Sequence, residues 1–164
     1  MSYRIDEIDA QILMLLQQNG RMKRNRIAEH VGLSVPSVSE RMRKLEERGV
    51  LLSYHAVVDP KRLHLDITAF IRVTVDGSEL HQEFVERATA LPEIQEIHSI
   101  TGEGTHMLKV RTRNTTTLEQ LLAQIQGWPG VHGTTTSVVL STFKETRAVP
   151  VKPTEIYQYE EELV

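Results

Sequence analysis

The stretch Arg24–Gly49, RNRIAEHVGLSVPSVSERMRKLEERG, decides how the first third of this chain is read. Its apolar residues fall at helical spacing twice, Ile27, Ala28 and Val31 in one run and Val35, Val38, Met42 and Leu45 in the next, so two amphipathic helices are expected. Between them Gly32-Leu33-Ser34 makes a tight turn. Ser34 can cap the second helix, Pro36 sits in its first turn where the missing N–H leaves no helical bond unmade, and Gly49 ends it. Two helices joined by a short glycine-containing turn make a helix-turn-helix. With the apolar stripe facing a core, Pro36, Ser37, Glu40, Arg43, Lys44 and Glu47 project outward, while Arg41 and Arg48 lie on one flank. Short polar side chains at the start with bases further along suit a helix that reads base edges and meets phosphates around them. The competing reading is a helical hairpin decorated with ion pairs such as Glu40 with Lys44.

Upstream of this motif a third helix is expected. Asp6 is its N-cap, Ile8, Ile12, Leu15 and Leu16 form its apolar face, and Gly20 suits its stop. Charge supports a polyanion partner for this region. The chain has 164 residues and a net charge of -3, yet residues 21–48 hold eight Lys+Arg against four Asp+Glu. Double-stranded DNA is the expected partner, and a solvated basic helix surface the alternative.

Downstream of Gly49 the period changes. Val50-Leu51-Leu52 and Tyr54 to Val58 read as a β-rich hinge, a wing-like hairpin or a connecting strand, stopped by Asp59-Pro60. From Leu65, apolar and polar residues alternate through Val75, a strand of period two. Ser78 can cap a helix carrying Leu80, Phe84, Val85, Ala88 and Leu91, closed by Pro92. Strands Ile94 to Thr101 and Thr105 to Thr112 then flank a turn containing Gly102 and Gly104. A helix with Leu118, Leu121, Leu122 and Ile125 follows, ended by Trp128-Pro129-Gly130, and a last strand covers about Val131 to Lys144.

The order strand, helix, strand, strand, helix, strand defines a ferredoxin-like βαββαβ domain. The fold class is therefore α+β, a winged helix-turn-helix joined by a β hinge to that domain. The expected boundaries are 1–50 for the DNA-binding part, 51–64 for the hinge and linker, 65–147 for the second domain and 148–164 for a tail, extended or disordered. Both helices would cover one face of the sheet, leaving Phe70 and Val139 or Phe143 exposed on the other in a monomer, so at least a dimer is expected.

Several chemistries are excluded or disfavoured. With no cysteine in the chain there are no disulfides, thiolate metal sites or cysteine nucleophiles, and a reducing compartment is the default. No apolar run approaches the roughly 18 residues that cross a bilayer, and no export signal opens the chain, so a soluble cytoplasmic protein without a membrane partner is expected. Gly102-x-Gly104 begins like a dinucleotide fingerprint, but Met107 stands in the third position and the turn joins two strands. His98 and His106 could approach across the hairpin, with no third metal ligand in view. No cofactor, metal site or catalytic constellation is expected. Tyr54, His55 and Trp128 are assigned to hinge packing or helix termination, and the Glu160–Glu162 run to a solvated surface.

The run Ile5-Asp6-Glu7-Ile8-Asp9, then Asn19-Gly20-Arg21, Ile27-Ala28, Gly32-Leu33-Ser34, Arg41, Leu45-Glu46 and Gly49-Val50, resembles the DNA-binding half of the leucine-responsive regulator and asparagine-activator family, Lrp/AsnC. The second half, with Thr101-Gly102, Leu108-Lys109-Val110, Gly130-Val131 and Val138 to Ser141, resembles that family's amino-acid-binding regulatory domain. The resemblance implies a transcription regulator that dimerises through its second domain and often assembles to octamers. It also implies a small-molecule effector, typically an amino acid, bound between regulatory domains beside the glycine turn. On this chain that maps to Gly102, Glu103, Gly104, Thr105 and His106, with Thr134, Thr136 and Ser137 as a further wall. The turn departs from the family's usual pattern, reading Glu103-Gly104-Thr105-His106 where relatives commonly carry an acid and aromatics.

On the DNA side, Ser37, Glu40, Arg41 and Lys44 are expected near base edges and Arg21, Lys23, Arg43 and Arg48 near phosphates, with Ser34 and Pro36 at the helix start. Lys23 stands where relatives often place a capping hydroxyl, and it cannot accept an N–H bond. A dimer would read half-sites about a helical turn, or a multiple of it, apart. The alternatives are a ligand-independent architectural DNA-binding protein and, from another class, an enzyme on a ferredoxin-like scaffold.

Overall fold

The computed structural model describes residues 3–156; the Glu160–Glu162 run lies outside them. In chain order the elements are β1 (Tyr3–Ile5), α1 (Glu7–Gln18), α2 (Arg24–Val31), α3 (Val35–Glu47), a 3-10 turn (Lys61–Leu63), β2 (Ile67–Val75), α4 (Ser78–Thr89), β3 (Ile94–Ser99), β4 (His106–Thr112), α5 (Thr115–Gln126), β5 (Val131–Val138) and β6 (Thr154–Ile156). They divide into two compact units. The first comprises residues 3–57 together with 145–156, the second residues 58–144.

The first unit packs its three helices around Ile12, Leu16, Ile27, Val38, Met42 and Leu45. Asp6 caps α1 as expected, its Oδ1 accepting from the Asp9 N–H at 2.8 Å. The helix stops at Gln18 with Asn19 as its cap, one residue before the anticipated glycine. Gly32 ends α2 in the left-handed region at φ 68°, and this lets the Leu33 N–H turn back onto the Ala28 carbonyl at 3.1 Å. Ser34 caps α3, accepting from the Ser37 N–H at 3.3 Å, and Pro36 lies in the first turn. Val35, expected in the buried stripe, is exposed where the helix has only begun; Val38, Met42 and Leu45 carry the packing.

Two features of this unit differ from expectation. Residues 51–59 form no strand; a β-rich composition favours extended backbone, but a strand exists only as a pair, and nothing among the described residues pairs with this one. The β structure of the unit comes instead from the two ends of the chain. β1 and β6 form an antiparallel ribbon with Tyr3 opposite Ile156, Arg4 opposite Glu155 and Ile5 opposite Thr154. Ile5 enters the helical core, and Val151 packs against it. The Gln17 side chain holds the arm further upstream, accepting from the Val149 N–H at 2.7 Å and donating to its carbonyl at 3.0 Å. The tail is thus an extended arm through Ile156.

The second unit is a four-stranded antiparallel sheet of order β3-β4-β2-β5, the ferredoxin-like arrangement. Ala69, Ile71, Val73 and Val75 of β2 and Leu108 and Val110 of β4 meet Phe84 and Ala88 of α4 and Leu118, Leu121 and Ile125 of α5 in one core. Alternation along β2 leaves Thr68, Phe70, Arg72 and Thr74 on the uncovered face. Strand β5 ends at Val138, well short of Lys144. Val139 still donates to the Thr68 carbonyl, but β2 begins at Ile67 and offers β5 nothing further to pair with. Ser78 opens α4 without capping it; Gly77 occupies the cap position. By contrast Asn114 and Thr117 form a capping box at α5 that the apolar pattern did not announce. Trp128 does more than end α5, since its ring is buried edge-on against Phe84 with centroids 5.6 Å apart.

Candidate functional site

The exposed side of α3 carries Pro36, Ser37, Glu40, Arg43, Lys44 and Glu47, as its wheel requires. Ser34 and Ser37 are joined by their hydroxyls at 2.8 Å, so the helix start presents a hydrogen-bonded pair of hydroxyl groups to solvent. Along the helix, Arg43 grips Glu40 at 2.7 Å and also Glu47, while Lys44 lies 3.6 Å from Glu40. These side-chain bonds hold the Arg43 guanidinium above its ordinary pKa and, with Arg43 the main cause, hold Glu40 below its own. Exposed i,i+3 and i,i+4 pairs of this kind are weak because water and salt screen them, so a phosphate can compete for either cation.

Arg41 is placed differently from the expectation that put it near base edges. Its Nη1 donates to Asp6 Oδ2 at 2.7 Å and to Asp9 Oδ1 at 2.8 Å, and the Asp9 carboxylate is buried. The bond to Asp9 is the main reason the guanidinium is held above its usual pKa. Burial pushes Asp6 up, but the Asp9 N–H and Arg41 outweigh it and hold that carboxylate below its usual range. Arg41 therefore ties α3 to the start of α1 and fixes the angle at which α3 is presented. Arg21 and Lys23 are exposed in the segment joining α1 and α2. Lys23 occupies the N-cap position of α2 without a capping side-chain bond. Arg48 caps the end of α3 through its backbone N–H. Tyr54 leans back on α3, its hydroxyl donating to Glu46 at 2.8 Å, and burial first, with Glu46 second, pushes its pKa up to about 12.

In the second unit the turn Gly102–Thr105 is stitched to β2. The Thr105 N–H donates to the Val73 carbonyl at 2.8 Å, and its hydroxyl accepts from the Val75 N–H at 3.0 Å. Gly104 has φ 79° and passes so close to Arg72 that a Cβ would lie 2.7 Å from Arg72 Cγ. Glu103 meets Arg72 Nη1 at 3.2 Å on the uncovered face of the sheet. His106 turns the other way. It is buried under α4 with its ring 4.7 Å from Phe84 and 5.2 Å from His81, and burial first, then His81, lowers its pKa.

The expected effector residues are thus divided between two faces. Gly102, Glu103 and Gly104 lie with Arg72, and Ser137 stands opposite Phe70 on the same uncovered face. Thr134 and Thr136 stand opposite Val73 and Ile71 on the helix side, where the Thr134 hydroxyl accepts from Gln126 at 2.7 Å. His98 and His106 also point to opposite faces, because His98 is opposite Met107 rather than His106. Among the described residues no group of three His, Asp or Glu could hold a metal ion. Sequence reasoning passed over Arg72, although the β2 alternation already put it beside Phe70 on the uncovered face. It also passed over Asp9, whose burial no local pattern announces.

A family model described as the Lrp/AsnC ligand binding domain matches residues 68–149, and one described as winged helix-turn-helix DNA-binding matches residues 5–51. The HTH-type transcriptional regulator FL11 of Pyrococcus horikoshii is 38% identical over 148 residues, covering 90% of this chain and 97% of that protein. The leucine-responsive regulatory protein of Haemophilus influenzae is 34% identical over 151 residues, covering 90% and 92%. Among solved structures, a transcriptional regulator of Neisseria meningitidis in complex with L-Met superposes with a TM-score of 0.86 at 28% identity, covering 89% of this chain and 96% of that one. The chain belongs to the Lrp/AsnC family of DNA-binding transcriptional regulators. These relatives are regulators, so the enzymatic alternative falls away. Among the described residues no helix is long and apolar enough to cross a membrane.

Proposed function

We propose that this chain is a cytoplasmic, effector-modulated regulator in which α3 enters the major groove and copies of the chain assemble as dimers and, through them, octamers. The observation that carries the DNA reading is the solvent-facing run of α3 from the Ser34–Ser37 hydroxyl pair to Arg43 and Lys44, held by a cap at its start and by Arg41 at its flank. Ser37, Glu40 and Lys44 are the residues assigned to base edges, with Arg21, Lys23, Arg43 and Arg48 on phosphates.

Self-association is supported by apolar side chains that a lone chain leaves in water. Phe70 is 39% exposed in the middle of the uncovered sheet face, and Leu52, Val57, Leu140 and Phe143 are almost wholly exposed. An amino-acid effector is supported by the glycine turn and by the L-Met bound to the Neisseria relative. Arg72 and Glu103 form an exposed pair of opposite charges beside that turn. A zwitterion can exchange into this pair, its carboxylate taking Arg72 and its ammonium Glu103.

Light-scattering mass measured across concentrations, with each common amino acid in turn, tests the assembly and the effector together. A dimer or larger that changes size, thermal stability or DNA affinity with one amino acid is the expected result. A constant assembly indifferent to all of them refutes the sensing part and leaves a ligand-independent architectural DNA binder. A monomer at all concentrations refutes the assembly.

A further inference from the structure

The ribbon formed by β1 and β6 lies where a wing would be useful. The segment after α3 supplies no strand, whereas Arg4 of β1 shares a cleft of about 450 Å³ with Ser37, Glu40 and Lys44 of α3. Strand alternation explains the placement, because Ile5 is drawn into the helical core and its neighbour Arg4 must face the opposite way. Ser37 to Lys44 spans seven residues of helix, about 10 Å at 1.5 Å per residue. A side chain that lines a cleft along that length of a helix lying in a major groove faces the groove's rim, and the rim is sugar and phosphate.

The charges in the cleft single out Arg4. Asp6 and Asp9 are both engaged by Arg41, and Glu40 by Arg43 and Lys44. Arg4 is exposed and makes no ion pair among the described residues. Its cross-strand neighbour Glu155 is itself exposed, so water and salt screen it. We infer that the ribbon of chain ends acts as the wing of this protein, and that Arg4 binds a phosphate of the duplex flanking the bases read by α3. This rests on α3 being the DNA reader. It adds a contact made by a residue outside the helix-turn-helix and held in place by the C-terminal arm, since β1 has no other strand to pair with among the described residues.

The test uses the full chain and two duplexes, one selected by the wild-type protein from a random-sequence library and one a scramble of it, titrated over a range of salt. Each phosphate neutralised contributes about 0.9 to the slope of log affinity on log salt, which near 0.15 M salt amounts to about fivefold in affinity. For each protomer bound to the duplex, Arg4→Ala is expected to weaken binding about fivefold on both duplexes and to reduce the slope by about 0.9, with Arg4→Lys close to wild type. Thermal unfolding and light-scattering mass should not move, because the side chain is exposed. Should Arg4→Ala disturb folding, Arg4→Gln, which keeps most of the stem, should show the same loss. Wild-type affinity and slope in Arg4→Ala overturn the inference while leaving α3 as the reader. A loss confined to the selected duplex overturns the phosphate assignment. Wild-type protein that enriches no sequence from the library and does not bind random duplex overturns the reading of α3 and this inference with it.

Discussion

Replacing Arg41 separates its tie to α1 from the base-edge contact that the sequence leads one to expect. In the structure its guanidinium joins Asp6 and Asp9, and the Asp9 carboxylate has almost no solvent contact. Removing the cation takes an opposite charge away from a buried carboxylate. Breaking a fully buried pair costs about 3–5 kcal/mol, and exposed pairs about 0–1. Arg41 and Asp6 are both partly in water, so Arg41→Met should cost about 2–3 kcal/mol. A unit of this size shifts its midpoint by roughly 4–8 °C per kcal/mol, so its melting temperature should fall by about 10–20 °C. The two units can be followed separately: the single tryptophan, Trp128, lies in the core of the second. Loss of helix by circular dichroism should therefore move in part to lower temperature while the tryptophan transition stays in place. Adding Asp9→Asn should recover more than half of the loss, since a buried carboxylate that has lost Arg41 is what destabilises. Unchanged stability, together with a loss of affinity confined to the selected DNA sequence, would show that Arg41 is a base contact and that the tie to α1 is incidental.

Three further outcomes follow from particular contacts. His106 is buried with its pKa lowered, so the unfolded chain binds the extra proton first; the second unit should lose stability as pH falls below about 6.5, the ordinary histidine value. His106→Gln should flatten that limb in tryptophan-monitored unfolding, and an unaltered acid profile would refute it. Gly104→Ala places a Cβ 2.7 Å from Arg72 Cγ at a φ of 79°, so the second unit should lose about 2 kcal/mol in denaturant titration, and a loss below about 0.5 kcal/mol would contradict the close approach. Ending the chain at Lys144 removes β6, Val151 and the Val149 bonds to Gln17. Amide exchange should quicken in β1 and α1 but not in β2 or β4, whereas uniform protection throughout would make the arm dispensable.

Much of the molecule was legible in local pattern. The caps at Asp6 and Ser34, the glycine turn before α3 and the basic excess of residues 21–48 are all read from short stretches of sequence. Apolar spacing placed all five helices, and alternation along β2 placed Phe70 on the uncovered face and thereby raised the question of a partner copy. Even the miss at Val35 was small, because a period identifies the stripe and says little about where a helix end meets its neighbours. Composition misled at residues 51–59, where β-branched and aromatic residues promised a strand. It could not supply the second strand that would satisfy the backbone.

By itself, then, the sequence determined the periodicities, the turns and the order of elements, since these depend on interactions within a turn or two of chain. Only the tertiary structure decided which charges are spent inside. It committed Arg41 to a buried aspartate 32 residues away and left Arg43 and Lys44 at the surface on the same helix. It turned His106 away from Glu103 across the sheet, and it closed the first unit with an arm from beyond the second. Each of these is a contact between residues distant in sequence. Local propensity carries no information about such a contact, because its free energy exists only when both partners have been brought together.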